Sequence, residues 1–134
     1  MEIKASTESG RVSVTVVHVD GDIDSSNYGT FEKKVDELIE NGARYILLDF
    51  SHVPYVSSAG LRVINKVYNE LRNLHPDSSL SDDKVKEGIR TGTYKSPHLK
   101  LLNLSKETRG TFELSGFDMF LEIFTDLKTA VASF

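Results

Sequence analysis

Val12, Val14 and Val16 alternate with Ser13 and Thr15, and Val19 carries the run to Asp20-Gly21. Period-two alternation of β-branched residues predicts a half-buried strand closed by a turn. Residues 2–6 predict a shorter, polar strand before it, with a turn at residues 8–11. Asp24-Ser25-Ser26-Asn27 then offers helix caps, and Phe31, Val35, Leu38 and Ile39 form the apolar stripe of an amphipathic helix stopped by Asn41-Gly42. Residues 45–50, Tyr-Ile-Leu-Leu-Asp-Phe, are almost continuously apolar, as in a central strand buried on both faces. An irregular link at residues 51–56 contains Pro54. Ser57-Ser58-Ala59-Gly60 opens a second helix, with Leu61, Ile64, Val67, Tyr68, Leu71 and Leu74 as its expected core face.

Residues 75–97 lose this periodicity and collect Pro76, Gly88, Gly92 and Pro97. They read as a long inserted loop, with one or two helical turns between a Ser81 cap and a Gly88 stop. Residues 98–104 predict a strand. Ser105 caps a helix ending at Ser115-Gly116, residues 120–124 predict a last short strand, and Asp126 caps a final helix with Leu127, Ala130 and Val131 inward. Strands alternating with helices predict an α/β fold, a mostly parallel or mixed sheet of about five strands covered by about four helices. One domain over residues 1–134, with the insertion at about 75–97, is expected.

Composition narrows the function. The 134 residues carry a net charge of −4 and no cysteine. This excludes disulfide scaffolds, thiol nucleophiles and Cys-ligated metals, and argues against nucleic-acid binding, which needs clustered Lys and Arg. No apolar run reaches the roughly 18 residues that span a bilayer, and residues 1–7 lack a signal-peptide pattern. A cytoplasmic protein that engages no membrane is expected.

Candidate chemistry is sparse. The four histidines (18, 52, 75 and 98) have no ligand spacing, so no metal or other cofactor is expected. Asp22 and Asp24 lack the further oxygen ligands and closing Glu of a calcium loop. Residues 55–60, Tyr-Val-Ser-Ser-Ala-Gly, miss the first Gly of a nucleophile elbow, and no phosphate-binding loop is present. Ser57 reads as a helix cap with Ser58 in the first turn, and no enzyme is indicated.

Residues 48–63, Leu-Asp-Phe-Ser-His-Val-Pro-Tyr-Val-Ser-Ser-Ala-Gly-Leu-Arg-Val, resemble the signature of the STAS domain as found in bacterial anti-sigma factor antagonists. Gly21-Asp22-Ile23-Asp24 resembles a second family motif, and Phe112-Glu113-Leu114-Ser115-Gly116-Phe117 a third. The resemblance implies a partner switch. The unphosphorylated antagonist binds a kinase-type anti-sigma factor and releases a sigma factor. Serine phosphorylation by that kinase ends binding, and a serine phosphatase resets it. Alignment on Gly60-Leu61 places the acceptor at Ser58, with Ser57, where the family often has Asp, as the alternative. The implied partner face comprises Asp22, Asp24, Ser57, Ser58 and Gly60, together with Arg62, Asn65 and Lys66 off the second helix's apolar stripe. Two other roles remain open: a STAS scaffold or adaptor within a larger signalling or transport assembly, or a nucleotide-binding STAS domain.

Overall fold

Backbone pairing and the apolar alternation of the strands assemble a five-stranded sheet in a computed structural model that describes residues 1–74 and 81–134. The elements are β1 (Glu2–Ser9), β2 (Ser13–Asp20), α1 (Tyr28–Glu40), β3 (Ile46–His52), α2 (Ser58–Leu74), α3 (Asp82–Thr91), β4 (Leu99–Leu102), α4 (Lys106–Ser115), β5 (Ile123–Phe124) and α5 (Leu127–Ser133). A 3-10 turn at Phe117–Met119 precedes β5. The strand order is β1-β2-β3-β4-β5, with β1 antiparallel to β2 and every other pair parallel. This is the mixed α/β sheet that the pattern predicts.

The parallel strands advance in one direction, so crossovers of one hand deliver their helices to one face. That face holds the larger core. Val17, Val19, Ile46, Leu48, Phe50, Leu99 and Leu101 of the sheet pack there against Phe31, Val35 and Ile39 of α1, Ile64, Val67 and Leu71 of α2, and Phe112 of α4. The opposite face is thinner. Val14, Val16, Leu47 and Leu102 pack against Ala130 and Val131 of α5, and Lys100 ties that helix down through the Ser133 carbonyl at 2.9 Å.

Several boundaries differ from the sequence expectation. β1 runs to Ser9 because its polar residues are held by the ladder with β2, which hydrophobic alternation does not report. β5 shrinks to two residues, since Phe120 and Leu121 reach the core from the turn before it. On α2 the inward face is Ala59, Gly60, Val63, Ile64, Val67, Tyr68 and Leu71. Leu61 is half-buried and Leu74, the last helical residue, is exposed. Leu127, first in α5, is likewise exposed, while Ala130 and Val131 point inward as expected.

The insertion contains a whole helix. Ser81 caps α3 by accepting the Lys84 N–H, but the stop falls at Gly92, in the left-handed conformation (φ 76°), rather than at Gly88. Gly88 stays helical and admits the Tyr94 side chain: a Cβ there would lie 2.7 Å from Tyr94 Cβ. Val85 is buried, Ile89 packs on the main core, and Arg72 of α2 pairs with Asp82. Residues 75–80 of the expected loop lie outside the described residues.

Candidate functional site

Residues 20–24, after β2, run beside the link that follows β3. Gly21 donates its N–H to the His52 carbonyl at 2.9 Å and Ile23 to the Tyr55 carbonyl at 3.0 Å, and Ser57 donates to the Ile23 carbonyl at 2.8 Å. Ile23 and Val56 form a parallel bridge, both fully buried. This short ladder brings Asp22 and Asp24 beside Ser57 and Ser58, which the sequence places more than thirty positions away. Gly60 completes the junction. A Cβ on it would stand 2.7 Å from Val56 Cγ1 and 2.8 Å from Ile23 Cγ2, so α2 can seat on the ladder only with glycine there.

The two serines have different surroundings. Ser57 precedes the helix, is half-buried, and its hydroxyl accepts the Gly60 N–H at 3.5 Å, a long capping bond. Ser58 is the first residue of α2 and is exposed, and its hydroxyl has no hydrogen-bond partner among the described residues. The first turn of α2 carries no acidic residue, so the positive end of the helix dipole is not neutralised locally.

Asp24 does not cap α1. Its carboxylate accepts the Ser26 hydroxyl at 2.5 Å and the Ser26 N–H at 2.8 Å, and those bonds hold its pKa below the usual carboxylate value. Asn27 staples the same turn, accepting the Asp24 N–H at 2.9 Å and donating to the Asp22 carbonyl at 2.8 Å. The Asp22 side chain is exposed.

On α2, Arg62, Asn65 and Lys66 are all exposed, off the apolar stripe as expected. Lys66 is also committed to α1, with its Nζ 3.2 Å from Asp36 and 3.5 Å from Glu32. A groove of about 300 Å³ runs between α1 and α2, lined by Tyr28, Glu32, Ala59, Arg62, Val63 and Lys66. Tyr28 and Tyr55, each more than two-fifths exposed, add aromatic surface that the sequence pattern did not single out. Tyrosine off a helical stripe carries no periodic signal.

The link before Ser58 is braced from below. Ser105 donates its hydroxyl to the Pro54 carbonyl at 2.9 Å, and Asn103, in the left-handed conformation (φ 56°), donates to the Ser51 hydroxyl at 3.0 Å. Ser51 in turn donates its hydroxyl and N–H to Asp49, whose other oxygen pairs with His18 Nδ1 at 2.8 Å. Burial opposes ionisation of Asp49, but the Ser51 and His18 contacts prevail and lower its pKa. This chain of contacts depends on the β2–β3 register, which is why the sequence alone did not connect its members. Among the described residues no group of three or more His, Asp or Glu could hold a metal ion, and no helix is long and apolar enough to cross a membrane.

The fold and this motif-bearing junction define a STAS domain. The STAS family model matches residues 5–81, more than half of the chain, and the chain belongs to that family. Among individual relatives, BtrV of Bordetella bronchiseptica, which carries the name of an anti-sigma factor antagonist, is 27% identical over 114 residues, covering 85% of this chain and 80% of that protein. The crystal structure of an anti-sigma factor antagonist from Mycobacterium paratuberculosis superposes with a TM-score of 0.68 at 19% identity, covering 98% of this chain and 93% of that one. The phosphorylated form of the Bacillus cell fate determinant SpoIIAA gives a TM-score of 0.63 at 17% identity, over 97% of this chain and 96% of that one. The two structures share this chain's fold.

Proposed function

We propose that this chain is an anti-sigma factor antagonist, a binding module rather than an enzyme, switched by phosphorylation of Ser58. The unphosphorylated form binds a kinase-type anti-sigma factor and frees a sigma factor; the kinase then modifies Ser58 and the complex separates. A serine phosphatase restores the binding form. The observation that carries this reading is the exposed, unengaged Ser58 hydroxyl on the first residue of α2, beside a Ser57 occupied as cap. The BtrV likeness supports the choice of partner class.

The physical consequences follow from that position. A phosphate at a helix N-terminus meets free N–H groups and the positive dipole end, so the fold tolerates it. Arg62, four residues on, lies on the same side of the helix. The added charge of about −1.5 to −2 sits near Asp22 and Asp24 and lands on a surface shaped for a neutral hydroxyl. The cost therefore falls on the interface.

The partner face combines the Asp22–Asp24 turn, Ser57, Ser58, Gly60 and the exposed side of α2 with Arg62, Asn65 and Lys66. Arg62→Glu and Asp24→Asn are expected to weaken binding to the cognate kinase-type anti-sigma factor about tenfold, measured by calorimetry, with the melting temperature little changed. Lys66→Glu is a less clean probe, since it also breaks the ion pairs to α1, worth about 0–1 kcal/mol at the surface. Control changes at Lys33 or Glu37 on the outer side of α1 should matter much less. Equal losses from both sets would place the binding surface elsewhere.

A further inference from the structure

We propose that the open edge of β1 pairs with the same edge of a second copy of this chain, antiparallel, about a two-fold axis at Ser6. Among the described residues β1 pairs with β2 on one side and with no strand on the other. Every residue from Lys4 to Ser9 is exposed. A row of unpaired N–H and C=O groups is a template for another strand, and edges are usually blunted by short length, proline, a bulge or charged side chains. β1 has only the last of these, in Glu2, Lys4 and Glu8. It is eight residues long, Glu-Ile-Lys-Ala-Ser-Thr-Glu-Ser, and its register with β2 runs from Glu2↔Asp20 to Ser9↔Ser13 without a shift. At the far edge, β5 has only two residues.

The charges select the occupant. Lys4, Ser6 and Glu8 lie opposite His18, Val16 and Val14, on the face away from the main core; Ile3, Ala5 and Thr7 face the other way. Alternate residues of a strand present their N–H and C=O to the same edge, so two copies of one edge can oppose only residues of like parity. An antiparallel axis must then fall on a residue. An axis at Lys4 opposes that lysine to itself. One at Ala5 opposes Glu2 to Glu8 twice. One at Thr7 leaves only residues 5–9 paired. The axis at Ser6 pairs all of residues 3–9 and opposes Lys4 to Glu8 twice, with no like charges directly opposed. A parallel, in-register pairing opposes each charge to its own kind.

Each Ser6 hydroxyl already lies 3.0 Å from His18 Nε2, and at the axis it would meet the second copy's Ser6. Parity also keeps both helix-covered faces on the same side. The two five-stranded sheets become continuous. Ser58 stays clear of the seam, because it sits beyond the C-terminal end of β3 while the seam runs along the outer side of β1. This proposal does not depend on the phosphorylation switch.

Sedimentation equilibrium tests it. The native chain should rise from 15.0 kDa towards twice that mass as concentration increases. Lys4→Glu and Glu8→Lys should each lower the association constant about tenfold or more, because each replaces two attractive cross-strand pairs by repulsive ones. The double variant should regain association, and so should an equimolar mixture of the two single variants, which again opposes Glu to Lys. The chain has no cysteine, so Ser6→Cys should give an oxidised covalent dimer, whereas Thr7→Cys, opposed to Ala5 on the other face, should not. A native chain that stays at 15.0 kDa up to about millimolar concentration would overturn the proposal. So would single charge variants that associate like the native chain, or Thr7→Cys cross-linking as fast as Ser6→Cys.

Discussion

Gly60 shows how much of the site rests on single atoms. Its missing Cβ lets α2 seat against Ile23 and Val56, and that seat positions Ser58. Gly60→Ala puts a methyl within 2.8 Å of two buried side chains and should cost about 1–3 kcal/mol in denaturant unfolding. Asp49 makes a second residue-scale prediction. Its folded-state pKa lies below its ordinary value of 3.8, because its hydrogen bonds favour the carboxylate over the acid despite burial. A depressed carboxylate contributes stability fully above its unfolded value, and loses it as pH falls through the lowered folded value. Asp49→Asn should therefore flatten the acid limb of the stability curve and leave the neutral-to-acid slope of other groups intact, measured by urea unfolding between pH 7 and pH 2. At this scale the sequence showed which residues carry polar groups, and the ladder alone showed which ones meet. Ser57 as cap was legible because capping is local. The Ser6–His18–Asp49–Ser51–Asn103 chain of contacts was not, because it crosses three strands and a loop.

Elements with strong periodicity emerged close to expectation: β2, α1, β3 and α2 each carry an apolar stripe or run that burial enforces, whereas α4, which buries only Thr108 and Phe112, was legible from its Ser105 cap and Gly116 stop. The insertion did not, because α3 has few apolar residues and shows its helix through caps alone. Replacement of residues 77–94 by a short Gly-Ser turn looks inexpensive if the segment is a solvated loop. With Val85 4% exposed, Ile89 against the core and Arg72 paired to Asp82, it removes packing as well. Val85→Ala should cost about 1–3 kcal/mol, and the replacement should lower the melting temperature by several degrees. An unchanged transition in both would mean that α3 contributes no packing to the folded state.

Across the whole molecule, the alternation of strands and helices already implied a sheet with helical cover, and the strand order explains why one face carries most of that cover. The junction between the second-strand turn and the start of α2 was legible only through a family motif, because no composition or periodicity joins residues 20–24 to residues 55–60. The central claim is that the exposed serine of that junction is the switch. The direct measurement is to incubate the chain with its cognate kinase-type anti-sigma factor and ATP, map the modified residue by mass spectrometry, and follow the complex by size-exclusion chromatography. A Ser58 switch gives one phosphate on Ser58, complex dissociation in step with its appearance, and a Ser58→Ala variant that folds normally, takes no phosphate and stays bound. Phosphate on Ser57, or full-rate phosphorylation of Ser58→Ala, or a complex that survives stoichiometric modification, would contradict it.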